Sequence, residues 1–147
     1  MSSHLLWILY FERVYCMKII LLLLLNIYFL NAQIVIVTNK NTKIENLPKE
    51  IVQYLYLAKI NKIDTVKLEP ILSDDEALHD QFCNTILCKS QSQYNSYWAR
   101  LVFTGKKSIS KKLEWKEIVK KLQDTNTIAY IEKKDLRAEW KIVYEEN

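Results

Sequence analysis

Apolar and polar positions change their period several times along this chain, and each change predicts an element. Gln33–Thr38 (QIVIVT) is a short β-branched run that reads as a buried strand. Asn39–Asn46 is polar and turn-like. Pro48 suits the first turn of a helix, and Ile51, Leu55 and Ala58 place an apolar stripe along Lys49–Lys59. Val66–Leu72 (VKLEPIL) alternates up to Pro70, the pattern of a half-buried or edge strand. Ser73 then stands as an N-cap with Glu76 as its capping-box partner, opening a helix that turns Leu78, Phe82, Ile86 and Leu87 inward. Lys89–Gln93 is a polar joint. Tyr94, Tyr97, Trp98, Leu101 and Val102 follow at i, i+3, i+4, i+7 and i+8, one face of a third helix.

The lone glycine, Gly105, falls where that helix must stop, at a position that often needs a positive φ. Ser110–Lys112 is another break. Trp115, Ile118, Val119 and Leu122 mark a fourth helix, and Thr127–Ile131 and Trp140–Tyr144 read as closing strands. The order β-α-β-α-α-α-β-β predicts an α/β fold, with a mixed sheet of about four strands flanked by helices.

The first 32 residues break this pattern. Ile19–Leu30 is an unbroken apolar run of twelve residues behind Lys18, followed by Asn31-Ala32-Gln33. Twelve residues are too short to span a bilayer but suit the apolar core of a secretory leader. Met17 makes a natural start for it and Ala32 a last residue to be removed. Residues 1–16 then extend upstream. An uncleaved anchor over Leu5–Leu30 is the less favoured alternative, because Glu12, Arg13 and Lys18 interrupt it. Export, to a periplasmic location, is the expectation, with residues 33–147 as one domain.

That domain carries 19 basic and 16 acidic residues, a net charge of +3. Its lysines come in scattered pairs, a solvated surface rather than a nucleic-acid stripe. A single glycine excludes phosphate-cradling loops and dinucleotide fingerprints, and there is no Cys-x-x-Cys or His-Glu-x-x-His. His79 is the domain's only histidine, so any serine or cysteine triad would rest wholly on it, and no carboxylate pair stands out. No catalytic residue, metal or cofactor is expected. Cys83 and Cys88 would point about 140° apart on one helix, so free thiols are expected.

The densest polar cluster is Ser73-Asp74-Asp75-Glu76 with His79 and Asp80. Acids in a first turn favour the helix dipole, which leaves His79 and Asp80 expected at solvent. Arg100 lies off the aromatic stripe, where it would reach an anion or pair with a surface carboxylate. The stripe itself reads as core packing rather than a ligand platform.

Tyr97-Trp-Ala-Arg-Leu-Val-Phe-Thr-Gly-Lys106 resembles a signature of small proteins related to the phosphate-type periplasmic substrate-binding proteins of ABC importers. Val35–Asn39 resembles their opening strand. Glu50–Ile60 resembles the next helix, with Ala58 where a glycine is usual. Leu72–Phe82 and Ile128–Ile131 resemble later segments, the second without its usual preceding glycine. The resemblance covers nearly all of residues 33–147 and implies a single periplasmic-binding-protein-like lobe. It implies a non-catalytic solute-binding protein for phosphate or another small oxyanion, working with a membrane transporter or sensor. The tentative ligand residues are Ser73, Asp74 and Arg100, of which Ser73 alone carries over from the family. The implied anion turn, serine-glycine-threonine in the family, reads Ser73-Asp74-Asp75 in this chain, and carboxylates repel a dianion. An exported interaction module that kept the lobe and lost the ligand is therefore the alternative.

Overall fold

A computed structural model describes residues 33–107 and 110–146, together with residues 15 and 17–19. The chain divides into two units, Met1–Ala32 and Gln33–Asn147. The leader, its start at Met17 and its cleavage at Ala32 lie almost wholly outside the described residues. Among the described residues no helix is long and apolar enough to cross a membrane.

The second unit is a mixed α/β lobe built on a five-stranded sheet. Its elements are β1 (Ile34–Asn39), α1 (Lys49–Tyr56), β2 (Lys62–Ile63), β3 (Val66–Lys67), β4 (Glu69–Ser73), α2 (Glu76–Thr85), α3 (Gln91–Phe103), β5 (Lys112–Leu113), α4 (Trp115–Lys121), β6 (Thr127–Glu132) and β7 (Trp140–Glu145). The sheet order is β5-β4-β6-β1-β7. Strand β4 runs parallel to both β5 and β6, while β1 is antiparallel to β6 and β7.

Handedness explains where the helices go. The connection from β4 to β5 through α2 and α3 moves outward along the sheet, and the connection back to β6 through α4 crosses β4 in the other direction. Right-handed crossovers of opposite direction place their helices on opposite faces. Side chains accordingly split by strand parity. Ile34 and Ile36 of β1, Leu72 of β4 and Ile128 and Tyr130 of β6 face α1, α2 and α3. Val35, Val37, Ile71, Ala129 and Ile131 face Ile118 and Leu122 of α4.

The structure revises several expected boundaries. Lys112–Leu113 is an edge strand rather than part of a break, because its backbone completes the exposed flank of β4 at Leu72 and Ser73. Val66–Leu72 is two strands: β3 closes a hairpin with β2, and β4 enters the main sheet after Leu68. Helix α3 starts at Gln91, inside the expected joint, because Ser90 and Gln93 form a complete capping box. Pro48 occupies the cap position of α1, just before its first turn.

Two helices end alike. At α3, Lys106 N–H donates to Leu101 O and Gly105 N–H to Val102 O, with Gly105 at φ +65°. At α1, Lys59 N–H donates to Tyr54 O and Ala58 N–H to Leu55 O, with Ala58 at φ +52°. Both are Schellman endings, for which glycine is the low-strain residue. Ala58 adopts the left-handed conformation against its Cβ.

Candidate functional site

In open α/β sheets ligands gather outside the carboxyl ends of parallel strands. Strands β4 and β6 are parallel neighbours, and a cavity of about 440 Å³ opens beyond their carboxyl ends. Ser73, Asp74 and Asp75 line it from the end of β4, Glu132, Lys134 and Asp135 from the end of β6, and Leu78 and Trp115 supply apolar wall. Ser73 and Asp74 therefore meet at one cavity. Arg100 does not line it; it is exposed near the end of α3.

The Ser73 turn differs in detail from the capping box expected for it. Ser73 is the last residue of β4, and the cap is Asp75, whose Oδ1 accepts from Leu78 N–H at 3.0 Å. Glu76 does not reach back. Its carboxylate takes Lys112 Nζ at 2.8 Å and Gln91 Nε2 at 2.6 Å, and these two bonds hold its pKa below the usual carboxylate value.

Three backbone donors of the turn, those of Ser73, Asp74 and Asp75, are occupied. Ser73 N–H donates to Tyr130 Oη at 2.8 Å, Asp74 N–H to Leu113 O at 3.1 Å and Asp75 N–H to Ser73 Oγ at 3.2 Å. The lining is also acidic, with Asp74, Asp75, Glu132 and Asp135 against Lys134 alone. Lys134 is bonded to Glu132 at 2.5 Å, which raises its pKa.

Behind the turn lies a buried aromatic layer. His79, expected at solvent beside Asp80, is fully buried, while Asp80 is exposed. Helix α2 turns its 79, 82, 83 and 86 positions to the sheet, and that stripe carries His79 inward with Phe82, Cys83 and Ile86. His79 Nδ1 lies 2.8 Å from Tyr130 Oη. Because that oxygen already accepts from Ser73, the economical assignment has Tyr130 donate to Nδ1, which leaves the proton on Nε2. Nε2 lies 3.7 Å from Cys83 Sγ. Burial lowers the His79 pKa and pushes the Cys83 thiol up to about 11. The Tyr130 ring stacks on Phe82 with centroids 4.0 Å apart, and desolvation raises its own pKa. A neutral histidine and two protonated weak acids in a closed layer hold the turn in place.

Sequence reasoning missed Tyr130, Trp115, Glu132 and Asp135. Tyr130 was visible only as one apolar position in a strand; Trp115 lies 42 residues from Ser73 in sequence, and Glu132 and Asp135 lie about sixty. Parallel pairing of β4 with β6 brings them together. Tyr94 and Trp98 of the aromatic stripe are core, as expected, but Val102 is exposed. Cys83 and Cys88 are both free thiols, the first buried and the second exposed. Among the described residues no group of His, Cys, Asp or Glu is placed to hold a metal ion.

No protein-family model matches this chain, and no curated protein matches it. Solved structures do resemble it. One is a Clostridium perfringens protein described as a phosphate ABC transporter substrate-binding protein with bound phosphate. It superposes with a TM-score of 0.59 at 17% identity, over 76% of this chain and 44% of its own. Another is an ABC-type phosphate transport receptor from Vibrio cholerae, with a TM-score of 0.54 at 13% identity, over 76% of this chain and 45% of its own. This chain thus shares the periplasmic-binding-protein-like fold and spans less than half the length of either neighbour.

Proposed function

We propose that this chain is an exported, non-catalytic recognition module: a substrate-binding-protein lobe that engages a membrane transporter or sensor without holding a free oxyanion at its Ser73 turn. The observation that carries this reading is the occupied donor set. Ser73, Asp74 and Asp75 each give their backbone N–H to an acceptor inside the chain. An anion site at a helix N-terminus works through such N–H groups left open. Four carboxylates on the cavity wall act in the same direction, since each repels a dianion at contact distance by about 1–4 kcal/mol. Export and a periplasmic location are supported by the apolar run Ile19–Leu30.

The competing reading, phosphate or another small oxyanion held by Ser73 and Asp74 with Arg100, draws support from the neighbour with bound phosphate. Calorimetric titration with inorganic phosphate separates the two. The module reading expects no heat up to millimolar phosphate. A Kd tighter than about 1 mM in the unmodified protein overturns it. An Asp74→Asn/Asp135→Asn variant that gains weak phosphate binding would identify charge as what keeps the anion out.

A further inference from the structure

Helix α3 ends on two exposed apolar side chains: Phe103 is 92% exposed and Val102 is 46% exposed. Phenylalanine is ordinarily an interior residue. This end is not frayed. Gly105 and Lys106 close it with the Schellman bonds, and Thr104 Oγ1 donates to Arg100 O at 3.0 Å. The ring is therefore presented to solvent on a fixed support.

Charge along this stretch of the chain has one sign. Residues 99–113 contain no acid. Arg100, Lys106, Lys107 and Lys111 are exposed, and none of them has an ion-pair partner among the described residues. Elsewhere on the lobe Lys49, Lys121, Lys133, Lys134, Arg137 and Lys141 lie against carboxylates, while the other exposed lysines without an ion pair among the described residues, such as Lys40, Lys43, Lys62 and Lys67, have no exposed phenylalanine beside them in sequence.

We propose that this end of α3 docks on an anionic lipid surface, with Phe103 and Val102 entering the headgroup boundary and the free cations holding the charged plane. An aromatic ring paired with a basic cluster supplies the two signals that reversible membrane adhesion requires. Lys106 and Lys107 follow Phe103 closely enough to act within one Debye length of it, about 8–10 Å at physiological salt. Long unpaired cations in no fixed array suit a diffuse surface potential, whereas a specific carboxylate partner is usually met by a positioned bidentate arginine. Neither the Ser73 turn nor its cavity takes part in this contact.

The test is partitioning of the full chain onto phosphatidylcholine vesicles with and without phosphatidylglycerol. The apolar run Ile19–Leu30 contributes to both, so the ratio between the two is the readout. The ratio is expected to favour anionic vesicles and to collapse at about 0.5 M salt. Lys106→Glu/Lys107→Glu should lower it by about thirtyfold or more. Phe103→Ser should weaken binding to anionic vesicles by about fivefold. A wild-type ratio near one, or a ratio untouched by the lysine reversals, overturns the proposal. Retention on polyglutamate without a preference for anionic vesicles would assign this end to an acidic protein partner instead, and also overturns it.

Discussion

Two turns dominate the polar chemistry of this lobe, and they are built in opposite ways. The Ser73–Glu76 turn, which opens α2, spends the N–H groups of Ser73, Asp74 and Asp75 on Tyr130, Leu113 and its own serine, and rests on a buried aromatic layer. The Thr104–Lys107 turn, which closes α3, is satisfied by its own helix alone and leaves a phenylalanine and cations in water. The first stands beyond the carboxyl ends of parallel strands, where open α/β sheets gather ligands, yet three of its N–H groups are taken from within. The second stands where nothing in the fold demands an apolar side chain, yet has one. A shared fold therefore does not fix which of its turns faces a partner; the local satisfaction of donors and the local burial do.

The comparison breaks first at Tyr130. If its hydroxyl holds the closed turn, Tyr130→Phe strands the Ser73 N–H and His79 Nδ1 and costs about 2–4 kcal/mol in chemical denaturation. A loss below about 0.5 kcal/mol would mean the turn does not depend on this bond.

Acid probes the same layer less severely. His79 is neutral in the fold, and burial, its largest influence, lowers its pKa. The unfolded chain binds a proton near pH 6.5, so it takes up more protons than the fold just below that pH. Stability should thus be full above about pH 6.5 and fall as pH drops from there toward the lower folded value. The groups around the ring are Tyr130, Cys83 and Tyr94, with Lys112 opposing its charge and Glu76 and Asp80 favouring it. Denaturation midpoints at pH 7.5, 6.5 and 5.5 check the slope, which a His79→Asn variant should lose. Equal slopes in both proteins would remove His79 from the account.

The open turn should respond through its backbone alone. A Cβ at Gly105 meets nothing within 4 Å, so Gly105→Ala is expected to cost only the left-handed strain, about 1 kcal/mol. Ala58 occupies the matching position of α1 and already carries that strain at φ +52°. Ala58→Gly is therefore expected to stabilise by about 0.5–1 kcal/mol, the smallest effect here and of opposite sign. A thermal melt that shows no gain would place the strain elsewhere.

Much of the architecture was legible in the residues. β-Branched and apolar runs marked β1 and β6, the apolar stripes found the four α-helices described within residues 33–147, and the single glycine marked the end of α3. The short elements were not legible. Lys112–Leu113 is a strand only because β4 offers an unpaired edge, and two residues carry no period of their own. The candidate site was half legible. Ser73 and Asp74 declared themselves as polar residues after a strand, but their cavity partners did not.

What the chain settles by itself is local: which face of each element is apolar, where helices must stop, and that phosphate loops and dinucleotide fingerprints are absent. Side-chain period and backbone strain are properties of neighbouring residues, so they can be read in order. Only the folded lobe decides that His79 is buried, that Tyr130 closes the Ser73 turn and that Phe103 is left outside. Those outcomes depend on which strand lies beside β4 and which face each crossover covers, contacts between residues far apart in the chain that no local spacing encodes.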